Sequence, residues 1–437
     1  MKYNSSKHAM RTIRLLRRSI GVLIALGIGL AASAQTAQTN SLVEGNTAFA
    51  LDLYAHLKDT PGNLFMSPYS ISSCLAMTYA GARGDTEMQM GHVLRFSQGD
   101  APLHSSFGEL QKQLTDAEKP DGIQLAIANA LWTQKGEPFL QAFLQTAADD
   151  YKADIKQADF ATDSDAVRQE INGWVAQKTM DKIQGILPPH SVDAATRLVL
   201  ANAIYFKGAW DNPFATSHTS TQPFLVSKKS QVDVRLMDQV EIFKYAENHD
   251  FQAVELRYRG PDELLPSGRH LSLPNRGHVS MVILLPRQIE GTSQLEKQLS
   301  PGFLDRLLAQ MTEQRVRIEL PSFKSQSHFK LNDKLAKMGM TDAFIWGKAD
   351  FSGINGIKKE DDGGLYISDV FHQASVEVTE EGTEAAAVTV VGIKAGAALA
   401  PSPTPPVFRG DHPFIFLIRD MRSGSLLFIG RMADPHA

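Results

Sequence analysis

The residues of this 437-residue chain that could do chemistry lack the spacing of a known catalytic or metal site. The chain has no G-x-S-x-G, H-E-x-x-H or P-loop motif to place a nucleophile, a zinc ion or a phosphate. Asp361-Asp362-Gly363-Gly364 is acidic but lacks the spacing of a calcium loop. His270 and His278 have no cysteine or third histidine nearby to complete a zinc site. We therefore expect no catalytic residue, no metal and no cofactor.

The segment 380–391 fits no ordinary element. It reads Glu-Glu-Gly-Thr-Glu-Ala-Ala-Ala-Val-Thr-Val-Val, in which alanines that favour a helix precede residues that favour a strand. The glycines and prolines of 392–406 then predict an exposed loop. Since no motif performs chemistry, this segment is interpreted as one on which another protein acts.

The N-terminal 34 residues have the composition of a secretory signal peptide. A basic start precedes an apolar run, 19–32, that is short for a membrane span, and Ala32-Ser33-Ala34 forms a small-x-small cleavage site. Cleavage after Ala34 would leave residues 35–437 and export them to the extracellular space or the periplasm.

The charge and the cysteine content limit which partners and which covalent cross-links the protein can have. Cleavage removes six of the 44 basic residues and no acidic residue, so 38 basic and 48 acidic residues remain, a formal charge of −10. This excess of acidic residues disfavours nucleic acid or an anionic membrane as a partner. Cys74 is the single cysteine and cannot form an internal disulfide. Its apolar helical surroundings favour a buried structural thiol.

The elements around 380–391 predict one α+β domain, because helices cluster first and strands follow. Three- and four-residue spacing of apolar residues predicts helices at 42–58, 69–81, 86–94, 103–114, 137–151 and 165–182, the last capped by Asp163 or Ser164. Strands are predicted at 123–133, 197–206, 222–237, 251–256, 279–285, 314–320, 365–379, 412–419 and 426–432. Short helices are predicted at 293–299, 301–310 and 329–338, and an exposed loop at 259–278.

Several segments, in the same order along roughly 41–435, resemble the serpin family. The C-terminal segment 408–416 is similar to the family signature, with Gly410 where alanine is usual. Further similarity lies in 63–71 with 81–86, in 202–210 and in 427–431. The segment 380–391 resembles the hinge of inhibitory members. The similar residues are Glu381, Gly382, Thr383, Glu384, Ala385, Ala386 and Ala387.

This resemblance implies a serpin-like single domain, with a helical N-terminal region packed on large β-sheets and a reactive-centre loop at about 380–407. It also implies that a target serine protease attacks the loop and forms a covalent acyl complex, with the inhibitor acting as a monomer. The cleaved loop would then enter the large sheet as a new strand and distort the protease. By position, Trp210 matches the breach where the loop enters, and the shutter beneath the sheet matches Ser67, Ser70, Asn202 and His372.

Insertion as a strand requires that alternate side chains carry no charge, and residues 383–393 meet this requirement. A strand inside a sheet buries alternate side chains. Counted from Thr383, that buried set contains no charge and consists of Thr383, Ala385, Ala387, Thr389, Val391 and Ile393. Glu384 begins the opposite set and can stay in water. An ordinary edge strand would instead be expected to carry lysine or proline, and prolines begin only at Pro401.

The scissile bond is predicted less sharply. The usual family spacing from the hinge places it after Gly396, whereas spacing from the C-terminal signature places it near Ser402-Pro403. Proline after the bond blocks most proteases, which leaves the window Ala395, Gly396, Ala397, Ala398 and Leu399. These small residues favour an elastase-like or subtilisin-like target with a shallow primary pocket. Leu399 keeps a chymotrypsin-like target open, and Lys394 a trypsin-like one.

Two other functions stay open at this point. The chain could be a non-inhibitory serpin that acts as a binding or carrier protein, although the uncharged alternate residues of the hinge disfavour this. It could also be an exported hydrolase whose catalytic residues form no recognised motif.

Overall fold

A computed structural model describes residues 36–115, 123–260, 263–264, 270–271, 277–361, 363–383 and 404–436. The predicted signal peptide and the predicted reactive-site window, 395–399, lie outside these residues. So do hinge residues Glu384, Ala385, Ala386 and Ala387. Among the described residues, no helix is long and apolar enough to cross a membrane.

Most of the longer helices come early in the chain, as predicted. They are α1 (36–57), α2 (Pro68–Tyr79), α3 (Gly84–Val93), α4 (Asp100–Thr115), α5 (Gln141–Tyr151) and α6 (Phe160–Lys178). The later helices are α7 (Thr292–Gln298), α8 (Pro301–Gln310), α9 (Asn332–Met338) and α10 (Ser352–Asn355). Short 3-10 helices span Thr216–His218 and Asp342–Phe344.

The strands form two large sheets and one small hairpin. They are β1 (Leu64–Met66), β2 (Ile123–Gln134), β3 (Asp154–Ala158), β4 (Leu198–Ala209), β5 (Ser220–Ser227), β6 (Ser230–Glu247), β7 (Phe251–Arg257), β8 (Glu263–Leu264) and β9 (His270–Leu271). The rest are β10 (Val279–Pro286), β11 (Thr312–Pro321), β12 (Phe323–Lys330), β13 (Phe371–Val378), β14 (Gly382–Thr383), β15 (Val407–Arg409), β16 (Phe414–Asp420) and β17 (Leu426–Met432).

The larger sheet has the order β1-β17-β16-β10-β7-β6-β11-β15, with β5 paired to β6. The second sheet has the order β12-β13-β14-β4-β2-β3, and β8 pairs with β9 inside the predicted 259–278 loop. Helix α2 is buried along nearly its whole length and contacts both β4 and β17, so it joins the two sheets. The predicted α+β class, with helices packed on large β-sheets, is confirmed by these layers.

Several predicted boundaries are wrong, and the reasons are local. The strand predicted at 222–237 is a hairpin that turns at Lys228 and Lys229, because alternation continues through the turn. The helix predicted at 329–338 begins only at Asn332, since Phe329 and Lys330 end β12. The strand predicted at 365–379 begins at Phe371.

Strands β3 and β12 are among those that the sequence did not predict, because their buried faces are weakly apolar. In β12 the buried positions include Ser325 and Ser327, which hide the alternation. In β3 most residues are exposed because this strand lies at the sheet edge. In α6, Asp163 caps as predicted, accepting a hydrogen bond from the Ala166 amide at 3.0 Å. The helix nevertheless extends to Phe160 across a non-helical residue at Asp163.

Gly430 of β17 tests the close packing against β16 and β1 within the larger sheet. A Cβ atom at this position would lie 2.6 Å from the Phe416 ring and 2.8 Å from the Leu64 carbonyl oxygen. We expect Gly430→Ala to destabilise the fold by about 1–3 kcal/mol through overpacking, measured as a lower thermal midpoint. Gly99→Ala is the matched control, since nothing lies within 4 Å of its added Cβ. Equal midpoints for the two variants would contradict this packing.

Candidate functional site

The hinge begins with a tight turn that connects β13 to β14. The Thr379 amide donates a hydrogen bond to the Gly382 carbonyl oxygen at 2.8 Å, and the Thr379 hydroxyl donates to the same oxygen at 3.2 Å. The Trp210 and Phe214 amides donate to the Glu381 and Glu380 carbonyl oxygens, each at 2.8 Å. Two backbone amide groups in the segment after β4 therefore stabilise the turn through hydrogen bonds.

Strand β14 lies inside the six-stranded sheet, with a neighbour on each side. Thr383 is opposite Val378 of β13 and opposite Gly208 of β4, and Gly382 is opposite Ala209. In the described part of the sheet, β4 and β13 pair with β14 and not with each other. The first two residues after the turn thus occupy a position between two existing strands.

Gly382 is required at this position for steric reasons. Its φ is +154°, and an added Cβ atom would lie 2.0 Å from the Gly208 carbonyl oxygen. Only glycine fits such a close approach of two backbones. Gly382 therefore lies against a second glycine, Gly208, on the neighbouring strand.

A cluster of aromatic residues surrounds Thr383, which is only 1% exposed. Trp210 stacks on Tyr258, with ring centroids 4.5 Å apart and an interplanar angle of 18°. The hydroxyl groups of Tyr258 and Thr383 are hydrogen-bonded at 2.7 Å. The Trp210 indole nitrogen donates to the Thr379 carbonyl oxygen at 3.0 Å. Trp210 was predicted from sequence, whereas Tyr258 was not.

Glu380 is a second hinge contact that the sequence did not reveal. Its side chain is nearly buried and forms an ion pair with Arg235 of β6, whose side chain is mostly exposed. The pair connects the hinge to the other large sheet. Arg235 is 145 positions away in the sequence, and no local pattern signals such a contact.

The structure brings the four predicted shutter residues together as a polar cluster, defined as Ser67, Ser70, Asn202 and His372. Ser67 caps α2 and accepts a hydrogen bond from the Ser70 amide at 3.2 Å. The Ser67 amide donates to Nε2 of His372 at 3.0 Å, and the Ser70 hydroxyl donates to Oδ1 of Asn202. The polar cluster therefore connects α2 with β4 and β13, the two strands that flank β14.

The polar cluster continues beyond the predicted residues. The side-chain amide of Asn202 donates to Oδ1 of Asn129 on β2, and the Asn129 amide donates to the Tyr151 carbonyl oxygen at 2.7 Å. Asn129 is buried, so these bonds satisfy an amide that would otherwise be costly. Asn129 lies in a strand pattern that looks ordinary in sequence, which is why it was missed.

His372 is held neutral in the polar cluster. Burial lowers its pKa to about 3, and His328 contributes to the same direction. A neutral imidazole is also what the hydrogen bond requires, since Nε2 accepts the proton of the Ser67 amide. The cluster therefore packs without a buried charge at neutral pH.

A cavity of about 320 Å³ lies between the start of β4 and the chain that enters β13. Its lining includes Leu200 and Asn202 on one side and Val370 and His372 on the other. Cys74 of α2 also lines it, and burial raises the pKa of this thiol to about 12. The thiol therefore stays protonated at neutral pH, and Cys74 is half-buried where a fully buried residue was predicted.

The described residues contain no candidate metal site. Among these residues, no group of three or more histidine, cysteine, aspartate or glutamate side chains could hold an ion. His270 belongs to the short strand β9, and His278 precedes β10. Burial lowers the pKa of His278, and nearby Arg422 acts in the same direction.

Comparisons with known proteins agree on one family. The model of the serpin (serine protease inhibitor) family matches residues 44–435. Serpin B3 of Homo sapiens is 37% identical over 414 residues, covering 91% of this chain and all of that protein. The leukocyte elastase inhibitor of Homo sapiens is 38% identical, covering 90% of this chain and 99% of its own length. Uncleaved ovalbumin has a TM-score of 0.76 at 30% identity, covering 90% of this chain and all of that structure.

The neutral state of His372 predicts a pH dependence of stability. Unfolding releases the imidazole, whose pKa returns to about 6.5, so below this pH the unfolded state binds a proton that the folded state does not. The wild-type free energy of unfolding should therefore fall by about 1.4 kcal/mol per pH unit from this residue, down to a pH of about 3.

His372→Gln removes this effect, so its stability deficit relative to wild type should shrink as pH falls from 6 to 4. Urea unfolding at each pH measures the deficit. His218→Gln serves as the control, because this residue is exposed, and its deficit should not vary. A constant deficit for His372→Gln would show that the imidazole is not held neutral.

Proposed function

Because this chain belongs to the serpin family of serine protease inhibitors, we propose that it traps a target protease as a covalent acyl-enzyme. The family is described as one of serine protease inhibitors, and a relative is named as an inhibitor and not as an enzyme, so the chemistry would belong to the protease. The protease serine would attack the carbonyl carbon of the scissile residue. The peptide bond breaks, an ester forms, and the new amino terminus leaves with the proton delivered by the protease histidine.

One observation carries the inhibitory assignment: Thr383 is paired on both sides, with Val378 of β13 and Gly208 of β4, and Gly382 is paired with Ala209 of β4. If the cleaved loop continued in this register, each residue after Thr383 would pair one residue further back along β4. Ile393 would then lie opposite Leu198, where β4 begins. The length of β4 therefore supports insertion of the whole segment that was predicted from its alternating residues.

The same register supports a role for the polar cluster as the gate. Thr389 would lie opposite both Asn202 and His372, on the face that Thr383 already occupies. A threonine hydroxyl is a suitable neighbour for these polar side chains, whereas a charge would be costly there. The cavity between these strands provides space at the point that the inserted strand would reach.

The energy of insertion is large enough to act on a bound protease. About ten new backbone hydrogen bonds, each contributing roughly 0.5–1.5 kcal/mol, would release on the order of 10 kcal/mol. This is comparable with the total stability of an ordinary domain. Strand insertion can therefore distort the protease before the ester is hydrolysed.

The proposed target is an elastase-like or subtilisin-like protease. The small residues of the 395–399 window support this choice, since they suit a shallow primary pocket. The resemblance to a protein named leukocyte elastase inhibitor points in the same direction. The proposed site of action is the extracellular space or the periplasm, on the basis of the signal-peptide composition of the first 34 residues.

Brief incubation with an elastase-like protease tests the proposal. We expect an SDS-stable adduct in which the protease is joined to the chain up to one residue of the 395–399 window. Mass spectrometry should also detect the released C-terminal fragment and so identify the cut. Clean cleavage without an adduct, across a panel of serine proteases, would exclude an inhibitory function.

Substitutions at adjacent hinge residues test insertion itself. Thr383→Arg places a charge where the described side chain is 1% exposed, at a cost of several kcal/mol, on the order of 3–5. We expect this variant to be cleaved and released as a substrate. Glu384→Arg is the matched control, because alternate residues should face water, and it should still form the adduct. Equal inhibition by both variants would argue against strand insertion.

A further inference from the structure

We infer that Tyr258 is a positioning residue for loop insertion, because its hydroxyl group binds that of Thr383 and fixes the first inserted residue of the hinge. This inference rests on the proposed function and adds to it a residue that controls how the acyl-enzyme divides between trapping and hydrolysis. Tyr258 follows β7 and lies outside every segment that resembled the family in sequence.

The contact is buried on both sides. Tyr258 is 0% exposed and Thr383 is 1% exposed, and their hydroxyl groups are 2.7 Å apart. Within the described part of the chain, each hydroxyl group has the other as its hydrogen-bond partner. Removing either hydroxyl would leave the other buried without a partner, which is more costly than removing both.

The Tyr258 ring is held in place by contacts that do not involve the hinge. It stacks on Trp210, and its edge packs against Phe206 with ring centroids 4.8 Å apart. The Tyr258 amide donates to the Val279 carbonyl oxygen at 3.0 Å. A Cβ atom at Gly208 would lie only 2.6 Å from the ring, so the absence of a side chain there provides the space. The hydroxyl group is therefore held where Thr383 is paired, without help from the hinge.

Insertion has to begin at this point. The first hinge residue must pair with two strands before the following residues can add one after another, so stabilising it favours the whole process. Insertion competes with water attack on the ester, which would release a free carboxylate on the cleaved loop and regenerate the protease serine. A weaker first contact should therefore convert more of the inhibitor into hydrolysed substrate.

A double-mutant cycle in the intact protein measures the contact without a protease. Tyr258→Phe keeps the ring, and Thr383→Val keeps the branched shape. We expect each single variant to speed hydrogen exchange of the 379–383 backbone by about tenfold, the factor given by one lost hydrogen bond. The double variant should return to within about twofold of wild type, because no unpaired hydroxyl remains.

Tyr245→Phe is the control, since it removes the hydroxyl of another buried tyrosine, on β6, and should leave hinge exchange unchanged. Effects of the two single variants that simply add in the double variant would overturn the inference. Unchanged exchange in both single variants would overturn it as well.

The functional consequence is tested by titration against an elastase-like protease. Tyr258→Phe should consume at least about twice as many inhibitor molecules per trapped protease, whereas the rate of loop cleavage should stay within about twofold of wild type. A changed stoichiometry with an unchanged rate of loop cleavage would distinguish a role in insertion from a general loss of folding. Wild-type stoichiometry in Tyr258→Phe would overturn the role in insertion. Absence of any wild-type adduct would overturn the proposed function, while the exchange cycle still decides the hydroxyl contact.

Discussion

The pairing of the two-residue strand β14 with β4 and β13 is the interaction on which the rest of the structure depends. A strand in this position must satisfy backbone groups on both edges and place every second side chain in the interior. Gly382 and Thr383 meet these conditions, because glycine permits contact with the Gly208 backbone and threonine finds a partner in Tyr258. The hinge is therefore matched to its neighbours at the level of single atoms.

The polar cluster lies where β4 and β13 contact helix α2. Ser67, Ser70, Asn202 and His372 form hydrogen bonds to one another or to the backbone, and the imidazole is neutral. Neutral hydrogen bonds of this kind contribute only modestly to stability and can be exchanged for similar bonds. An apolar contact of the same area would offer no such exchange. The proposed gate, which would admit Thr389, is better built from these groups than from a buried ion pair.

The fold class could be predicted from the sequence, and the hinge proposed from it, because both depend on local patterns. Alternation without charge from Thr383 to Ile393 depends only on neighbouring residues, and so does the helix-then-strand order. Tyr258, Asn129 and Arg235 could not be found in this way, since their importance comes from contacts between distant strands. Strand β12 was missed for a related reason, because its buried serines are understood only beside β13.

Insertion of the cleaved loop is tested most directly by one measurement. The thermal midpoint of the intact protein should be compared with that of protein cut within 395–399 and freed of protease. Insertion predicts a rise of at least about 10 °C, because on the order of 10 kcal/mol of new pairing is added to the sheet. Equal midpoints for the intact and cut proteins would show that the loop does not enter the sheet.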